Sequence, residues 1–476
     1  MHKSQSIQSL MQSSGVRFGT SGARGLVADM SAEVCFAYTS AFLKVIAATA
    51  GTRVALGIDL RPSSPRIAAA CAAAITHAGL EVDYCGPLPT PALAFYAQEK
   101  RLPALMVTGS HIPFDRNGIK FYRPTGEITK ADEAGIAAAI VALPGAGLTT
   151  ALPEIDPTAR RLYVERYLRF FPKNVLVGMR LGFYEHSSVA RDLLREILEA
   201  LGAEVISLGR TESFVPIDTE AVSDADTRQA RRWAAEHGFD AILSTDGDAD
   251  RPLIGDEQGN WLRGDIVGLL TARTLSTSAL ATPVSSNTAI EKCGAFSRVL
   301  RTRIGSPYVI EAMERLLAEG EGKVAGFEAN GGFLLGSDLE KDGRPLRALP
   351  TRDAVLPMLA LLASARERGI PLSRLPLDLP SRFTASDRLQ AFPGEASREL
   401  LNKLAQSPSA IAELLGGEAV ELNQTDGLRM TLVNGEIVHL RPSGNAPELR
   451  CYAEADSQER AEALARECLA RIAQSM

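Results

Sequence analysis

The sequence has few cysteines, no long hydrophobic run and no segment resembling a signal peptide, and each of these features excludes a class of protein. Its six cysteines include no Cys-x-x-Cys pair and no spacing suited to zinc, a pattern typical of reduced core thiols in a cytosolic protein. No stretch reaches the ~18 apolar residues of a membrane span, and the opening residues lack the apolar segment of a signal peptide. We therefore expect a cytoplasmic protein that does not associate with a membrane.

The chain also has fewer positive than negative side chains: it contains 51 lysines and arginines and 57 aspartates and glutamates, which gives a net charge of −6. This balance argues against a nucleic-acid partner but leaves room for a few clustered cations around a small anion. With 476 residues, the chain is long enough for three or four domains of roughly 100–150 residues each. No motif specifies an oligomeric state.

A degenerate repeat of strand, Ser- or Thr-capped helix and strand occurs three times, starting near residues 53, 176 and 282. Each copy is followed by another short apolar strand and then a polar loop. Such units form mostly parallel sheets, and ligands of these sheets collect beyond the carboxyl ends of the strands. The pattern predicts three related α/β domains with mixed or mostly parallel sheets, arranged around one central cleft.

Turn-rich segments divide the chain into four parts. Segments rich in proline and glycine predict domains at residues 1–150, 151–255, 256–375 and 376–476. The last part has a different pattern, with alternating strands around an Asn-Gly hairpin signal at 434–435, a further strand and a terminal amphipathic helix. We expect a C-terminal α+β domain that acts as a lid.

The polar loop of the first copy carries a candidate nucleophile. The segment Thr-Gly-Ser-His-Ile-Pro at residues 108–113 follows an apolar strand, so the hydroxyl of Ser110 can meet the imidazole of His111 and the ammonium group of Lys120. A serine that only caps a turn is the alternative.

The loop of the second copy is acidic. Asp246, Asp248 and Asp250 alternate with small residues, so a tight turn can direct three oxygen ligands at one Mg²⁺ or Ca²⁺ ion. A calcium-binding EF-hand is excluded, because Arg251 stands at the position that requires glycine and the loop follows a strand. A solvated acidic turn remains the alternative. Since Mg²⁺ with few protein ligands usually keeps positions for phosphate oxygens, the loop implies a phosphorylated partner.

Two further loops offer ligands for such a partner. The segment Arg-Pro-Ser-Gly-Asn at 441–445, with an arginine on the next strand, combines guanidinium groups, a hydroxyl and free backbone N–H groups, which suit a phosphate. A surface arginine in a turn is the alternative. The candidate phosphate ligands are Arg441, Ser443, Gly444, Asn445 and Arg450. Glu328 and Asn330 lie in a Gly-flanked loop that either binds sugar hydroxyls or simply forms a turn.

In this order, the motifs resemble those of the α-D-phosphohexomutase superfamily, and the resemblance covers the whole chain. It includes Phe-Gly-Thr-Ser-Gly-Ala-Arg-Gly at 18–25, the serine loop with Asn-Gly-Ile-Lys at 117–120, Asp-Gly-Asp-Ala-Asp-Arg at 246–251, Gly-Phe-Glu-Ala-Asn-Gly at 326–331, and Arg-Pro-Ser-Gly at 441–444. The resemblance implies an isomerase that interconverts hexose 6-phosphate and hexose 1-phosphate. Hexose 1,6-bisphosphate would be its intermediate and activator.

The resemblance also implies roles for individual residues. Ser110 would carry the transferred phosphoryl group, and one Mg²⁺ would be held by that group and by Asp246, Asp248 and Asp250. The groups that would position or neutralise the transferring phosphoryl group are Arg24, His111, Lys120 and Arg251. Glu328 and Asn330 would bind the sugar. The candidate phosphate ligands named above, between residues 441 and 450, would bind the phosphate that does not react. Arg303, in a segment where the family often has lysine, would also contact the substrate.

We expect mannose as the sugar, with glucose and glucosamine as alternatives. A magnesium-dependent phosphatase would use the same metal loop, and a non-catalytic sugar-phosphate sensor would use the same phosphate loop. The chain departs from the family pattern at Gly109 and Ile112, where Ala and Asn are usual, and at Asn330, where Ser is usual. It also has an extra Phe327 before the glutamate, and Ser306 where some members have histidine.

Overall fold

A computed structural model of the chain describes residues 3–19, 22–49, 51–443 and 448–474. Its first part, up to residue 143, contains a seven-stranded sheet and a separate two-stranded one. The elements are β1 (Lys3–Ser6), α1 (Ile7–Ser14), β2 (Arg17–Phe18), β3 (Ala23–Leu26), α2 (Ala32–Val45), β4 (Arg53–Ile58), α3 (Ser64–His77), β5 (Glu81–Pro87), α4 (Thr90–Lys100), β6 (Ala104–Val107), β7 (Arg116–Arg123), β8 (Gly126–Glu127), α5 (Lys130–Ala138) and β9 (Ile140–Leu143).

The second part carries a four-stranded sheet between its helices. Its elements are α6 (Thr158–Phe170), β10 (Arg180–Tyr184), α7 (Arg191–Ala200), β11 (Glu204–Leu208), α8 (Asp224–His237), β12 (Ala241–Thr245) and β13 (Pro252–Gly255).

The third part carries a five-stranded sheet and a small hairpin. Its elements are α9 (Gly264–Thr274), β14 (Ala279–Pro283), α10 (Ala289–Lys292), β15 (Arg298–Thr302), α11 (Ser306–Ala318), β16 (Val324–Phe327), β17 (Phe333–Leu335), β18 (Leu339–Lys341), β19 (Arg344–Leu346), β20 (Leu349–Asp353), α12 (Val355–Arg368) and a 3₁₀ helix (Leu372–Asp378). The helix expected after Thr288 is only one turn long, because Gly294 adopts a left-handed conformation (φ 64°) just beyond it.

The three parts share one topology. Their central strands lie in the orders β5-β4-β6-β7, β11-β10-β12-β13 and β15-β14-β16-β17, with the first three strands parallel and the fourth antiparallel. In each part the polar loop seen in the sequence joins the third strand to the fourth, so it lies at the carboxyl end of a parallel strand. The predicted three related α/β units are confirmed.

The central strands of these units are buried on both faces. In β4, all residues except the first are buried, and all four residues of β6 are buried, as expected for parallel strands covered by helices. One continuous hydrophobic core runs from α4 in the first unit through α6 and α7 in the second to α9 and α12 in the third. The three loops are therefore mounted on one packed body.

The C-terminal part has its own core and an antiparallel sheet, in agreement with the predicted α+β pattern. Its elements are β21 (Phe383–Leu389), α13 (Gly394–Gln406), α14 (Pro408–Leu415), β22 (Ala419–Asn423), β23 (Leu428–Leu432), β24 (Ile437–Pro442), β25 (Leu449–Ala455) and α15 (Gln458–Gln474). The Asn-Gly signal lies where predicted, in the tight turn between the paired strands β23 and β24, with Gly435 at φ 80°.

The remaining expectations concern thiols and membranes. All six cysteines are free thiols, and every one except the half-buried Cys293 is buried. Within the described residues, no helix combines the length and the apolar character that crossing a membrane requires.

Candidate active site

The serine loop leaves β6 in a strained conformation. Ser110 is fully buried and has a left-handed backbone (φ 54°), which is uncommon for a residue other than glycine. The backbone N–H of Ser110 donates to Thr108 Oγ1 at 2.8 Å, and its own Oγ donates to Asp246 Oδ2 at 2.5 Å. The turn thus aims the hydroxyl at the acidic loop of the second unit.

A buried arginine holds this conformation. Arg61, which follows β4, donates to the backbone carbonyl oxygens of Ser110, Ile112, Pro113 and Arg116 at 2.5–3.0 Å. A Cβ atom on residue 109 would lie 2.5 Å from Arg61 Cζ. The glycine found in place of the usual alanine therefore leaves space for this guanidinium group.

The acidic loop follows β12. Asp246, Asp248 and Asp250 are all buried, and one carboxylate oxygen of each lies within 4.8 Å of the others. The Oδ1 atoms of Asp248 and Asp250 are buried without a hydrogen-bond partner. Burial, together with the charges of Asp248 and Asp250, raises the pKa of Asp246 well above its usual value. Hard oxygen donors with unpartnered atoms and excess negative charge fit a Mg²⁺ ion.

Two cations already compensate part of this charge. Lys120 reaches the loop from β7, and its Nζ lies 2.6 Å from Asp248 Oδ2 and 2.7 Å from Asp250 Oδ2. Arg352, at the end of β20, donates to Asp250 Oδ2 from Nε at 3.1 Å. Burial alone would raise the pKa of Asp250, but Arg352, Lys120 and Arg251 together lower it far below its usual value. Thr90 adds a hydrogen bond of 2.5 Å to Asp248 Oδ2.

His111 is electrically neutral beside the serine. Its Nδ1 lies 3.4 Å from Ser110 Oγ. The positive charge of Arg251, followed by burial and the charge of Arg24, lowers the pKa of His111 far below its usual value. Burial and the charges of Arg251 and Arg352 lower the pKa of Arg24 to about 10, which still leaves it protonated at pH 7. The serine is thus surrounded by fixed cations and one uncharged imidazole.

The loop of the third unit follows β16. Glu328 is buried, and its Oε2 accepts a hydrogen bond from Arg352 NH1 at 2.9 Å. Asn330 Oδ1 accepts from the backbone N–H of Gly332 at 3.0 Å, so the asparagine closes its own turn. The extra Phe327 is fully buried against Gly268 of α9, where no Cβ atom would fit.

The C-terminal sheet presents a row of arginines. Arg388, Arg450 and Arg441 are directly opposite one another on β21, β25 and β24, so their side chains leave the same face. Arg441 Nε donates to Asp426 Oδ2 at 3.0 Å, and Glu448 lies 3.6 Å from Arg388 and 3.8 Å from Arg450. Gly444 and Asn445, the other predicted phosphate ligands of this loop, lie outside the described residues.

Arg303, a predicted substrate-contacting residue, and Ser306, one of the departures from the family pattern, lie at joints between units. Arg303 Nε donates to the backbone oxygen of Thr425 at 3.1 Å, where the third unit meets the C-terminal part. Ser306 donates to Glu127 Oε2 at 3.0 Å, where the third unit meets the first. In this structure both residues join parts of the chain. Ser443 follows β24, and its backbone N–H donates to the carbonyl oxygen of Glu448 at 2.8 Å.

A cavity of about 240 Å³ separates the serine and metal loops from the C-terminal sheet. His111 and Arg251 line one side of it, and Arg450, Arg388 and Tyr452 line the other. Arg251 on one side therefore faces Arg450 and Arg388 on the other, across a space of the size that a small phosphorylated ligand would need.

Sequence reasoning missed four residues of this site. Arg61, Thr90, Arg352 and Arg388 are not part of the motifs discussed above. Arg61 had a signal, because the run Asp-Leu-Arg-Pro-Ser-Ser at 59–64 follows an apolar strand just as the other polar loops do. No sequence signal distinguishes Arg388 from an ordinary surface arginine.

Comparison with known proteins agrees with this arrangement. Profiles of the phosphoglucomutase/phosphomannomutase family match in chain order: alpha/beta/alpha domain I at residues 15–143, domain II at 163–259, domain III at 263–383 and the C-terminal domain at 391–471. The chain therefore belongs to the phosphoglucomutase/phosphomannomutase family, within the α-D-phosphohexomutase superfamily, as its motifs predicted.

Within this family, the chain matches two phosphomannomutases over nearly their whole length. The chain is 51% identical to a phosphomannomutase of Salmonella muenchen over 456 residues, with 94% of each chain covered. It is 46% identical to a phosphomannomutase of Sinorhizobium fredii over 479 residues, covering 97% of this chain and 100% of the relative. A solved phosphoglucomutase/phosphomannomutase family protein from Burkholderia thailandensis shares the fold, with a TM-score of 0.73 at 20% identity and coverage of 94% and 96%.

Proposed function

We propose that this chain interconverts mannose 6-phosphate and mannose 1-phosphate through a phosphoserine at Ser110 and a mannose 1,6-bisphosphate intermediate. The observation that carries the proposal is the 2.5 Å contact between Ser110 Oγ and Asp246 Oδ2, which joins a candidate nucleophile to a buried triad of carboxylates. The choice of mannose rests on the two relatives named phosphomannomutases, which match nearly the whole chain.

In the forward half-reaction, the 1-hydroxyl of mannose 6-phosphate attacks the phosphorus atom of phosphorylated Ser110. The new O–P bond forms as the bond from phosphorus to Ser110 Oγ breaks, and the hydroxyl proton ends on that serine oxygen. His111, whose Nδ1 lies 3.4 Å from Oγ, would assist this proton movement. Lys120, Arg24 and Arg251 stabilise the charge of the transferring group by position alone, because phosphoryl transfer depends mainly on positioning and electrostatics.

Asp246, Asp248 and Asp250 would hold Mg²⁺, with an oxygen of the phosphoserine completing the set. When bound, the ion supplies positive charge opposite the transferring phosphoryl group. The unpartnered Oδ1 atoms of Asp248 and Asp250 support this assignment. One ion per chain matches the single triad found among the described residues.

The rest of the cleft would recognise the remainder of the substrate. Glu328 would accept hydrogen bonds from sugar hydroxyls, with Asn330 shaping its loop. Arg441, Arg450 and Ser443 would bind the phosphate that does not react, and Arg303 would hold the C-terminal part against the third unit. After the first transfer, the intermediate must turn so that its other phosphate faces Ser110. A separate clamp on the distal phosphate serves both orientations.

We assign one task to each part of the chain: the phosphoserine to residues 1–150, the metal to 151–255, the sugar to 256–375 and the distal phosphate to 376–476. The separate sheet in each part, and the separate core of the last, support this division. It makes the last part the lid.

The test is a coupled assay that compares mannose 1-phosphate, glucose 1-phosphate and glucosamine 1-phosphate, with inorganic phosphate measured in parallel. We expect the highest kcat/KM for mannose 1-phosphate and almost no release of inorganic phosphate. A preference for another sugar would correct the substrate, stoichiometric phosphate release would indicate a phosphatase, and binding without turnover would indicate a sensor.

A further inference from the structure

Arg352 connects two loops that have separate tasks. Its NH1 donates to Glu328 Oε2 at 2.9 Å, while its Nε and NH2 lie 3.1 and 2.9 Å from Asp250 Oδ2. The side chain is almost completely buried, as are both carboxylates. A single guanidinium group therefore joins the sugar loop of the third unit to the metal loop of the second.

The sugar loop leaves a path for this side chain. A Cβ atom on residue 332 would lie 2.7 Å from Arg352 Cδ and 2.8 Å from Cγ. The backbone of Gly332 does not have a positive φ, so a left-handed turn does not explain the glycine. Its lack of a side chain instead lets Arg352 cross the loop from β20 and reach Asp250.

We propose that Arg352 is a positioning residue that couples sugar recognition to the charge of the metal site by holding Glu328 and Asp250 on different edges of one guanidinium group. The inference rests on the proposed function, because it takes Glu328 as the sugar ligand and Asp250 as a metal ligand. Its two effects are separable. The planar fork orients Glu328, whereas the positive charge offsets one of the three aspartates.

Because of this separation, loss of the charge has opposite consequences at the two loops. Without the cation beside Asp250, the triad is more negative and should bind Mg²⁺ more tightly. Without the fork, Glu328 is no longer oriented toward the sugar, and substrate binding should weaken. A purely structural arginine would not produce this pattern, since its loss would loosen both loops and weaken both interactions.

The experiment compares Arg352→Gln, Arg352→Lys and Gly332→Ala. Mg²⁺ affinity is measured by isothermal titration calorimetry in a Ser110→Ala background, so that phosphorylation does not vary, and KM is measured with Ser110 intact. For Arg352→Gln we expect about tenfold tighter Mg²⁺ binding and about tenfold higher KM. Lysine keeps the charge but not the fork, so Arg352→Lys should leave Mg²⁺ affinity within about twofold and still raise KM.

Gly332→Ala should displace Arg352 from Asp250 as well as from Glu328, so it should raise KM and tighten Mg²⁺ binding, each by no more than Arg352→Gln does. Adding Gly332→Ala to Arg352→Gln should then raise KM no further, because both substitutions remove the same contact. Arg53→Gln is the matched control: Arg53 begins β4, at the strand end opposite the polar loops, and pairs with the buried Asp83 at 2.9 Å, so its loss should change neither constant.

Failure of this inference is distinguishable from failure of the proposed function. If the wild type does not convert mannose phosphates, the proposed function fails, while the direct Mg²⁺ titration still tests the charge effect. Parallel weakening of Mg²⁺ and sugar binding in Arg352→Gln would overturn the inference, as would full recovery of KM in Arg352→Lys. If Arg352→Gln does not fold, Arg352→Lys and Gly332→Ala decide: unchanged KM in both variants would overturn it.

Discussion

The two sides of the cleft hold their charges in different ways. On the serine and metal side, Ser110, Lys120 and the aspartates are buried, and their contacts are 2.5–2.7 Å long. On the C-terminal side, the arginine row remains partly exposed, with 21% of the Arg441 side chain and 52% of the Arg388 side chain accessible. Its carboxylate partners there lie 3.0–3.8 Å away.

This difference matches two tasks. Groups that stabilise charge during phosphoryl transfer must be fixed beforehand, because reorganisation during the reaction would add to the barrier. Groups that bind and release a phosphate must instead be able to exchange partners. Asp426 and Glu448 pair with the arginines in the structure, and a dianionic phosphate competes well with single carboxylates for partly exposed guanidinium groups. We infer a preassembled reaction side and an exchangeable recognition side.

Removal of the nucleophile on the reaction side should cause the largest loss of activity. We expect Ser110→Ala to lose activity by several orders of magnitude, because no other group there can store the phosphoryl group between half-reactions. Intact-mass measurement should show one phosphoryl group on part of the wild type and none on the variant. Ser443→Ala, on the recognition side, is the control and should keep the phosphoserine. Near-normal turnover by Ser110→Ala would contradict the covalent mechanism.

Loss of a metal ligand should have the next largest effect. We expect Asp248→Asn to lower kcat by about 100-fold or more, because it removes a charge from a site whose ions compensate one another. Chelation of the wild type should have a similar effect and be reversed by Mg²⁺. Activity in the presence of chelator, compared with Mg²⁺-reconstituted enzyme, provides the measurement. Full activity without metal would give the triad a different role.

On the recognition side, we expect Arg441→Ala to reduce kcat/KM by roughly 30- to 150-fold, equivalent to about 2–3 kcal/mol, and to leave the phosphoserine intact. The variant should also depend more on added hexose 1,6-bisphosphate, because a weakened clamp releases the intermediate. Steady-state kinetics with and without bisphosphate test this. Asp426→Asn, which removes the internal partner of Arg441, is the control and should not weaken substrate binding. Unchanged constants in Arg441→Ala would make the C-terminal part a structural appendage.

The smallest expected effect is on stability, and it compares one histidine on each side. Burial lowers the pKa of His186, beside the metal loop, and of His439, in the C-terminal sheet, to about 4. The unfolded chain therefore binds more protons between pH 6.5 and 4, so stability is complete above pH 6.5 and falls as pH decreases. From pH 7 to 5, we expect a loss of about 1–2 kcal/mol per histidine.

Thermal unfolding at pH 7.5 and 5.0 measures this loss. His186→Gln and His439→Gln should each reduce the difference in Tm between the two conditions. If the body formed by the first three units and the C-terminal part unfold separately, His186→Gln should affect only the transition of the body and His439→Gln only that of the C-terminal part. An equal difference in wild type and both variants would show that neither histidine carries the pH dependence.

Much of the fold could be predicted because its signals are local. Apolar strands, Ser- or Thr-preceded helices and the Asn-Gly turn at 434–435 each depend on neighbouring residues. The functional loops follow the third strand of each repeat, so topology placed Ser110, Asp246 and Glu328 at equivalent sheet edges. The short helix after Thr288 was harder to predict, because Gly294 ends it after one turn.

The repeat, the family and the residues proposed to carry the chemistry could all be predicted from the sequence, because short motifs with definite spacing encode them. Which cation compensates which aspartate became visible only in the folded chain. Arg352 is 102 residues from Asp250 along the chain and 24 from Glu328, yet it contacts both. No local pattern marks it, because its role depends on burial between two units, where charges must find partners across the fold.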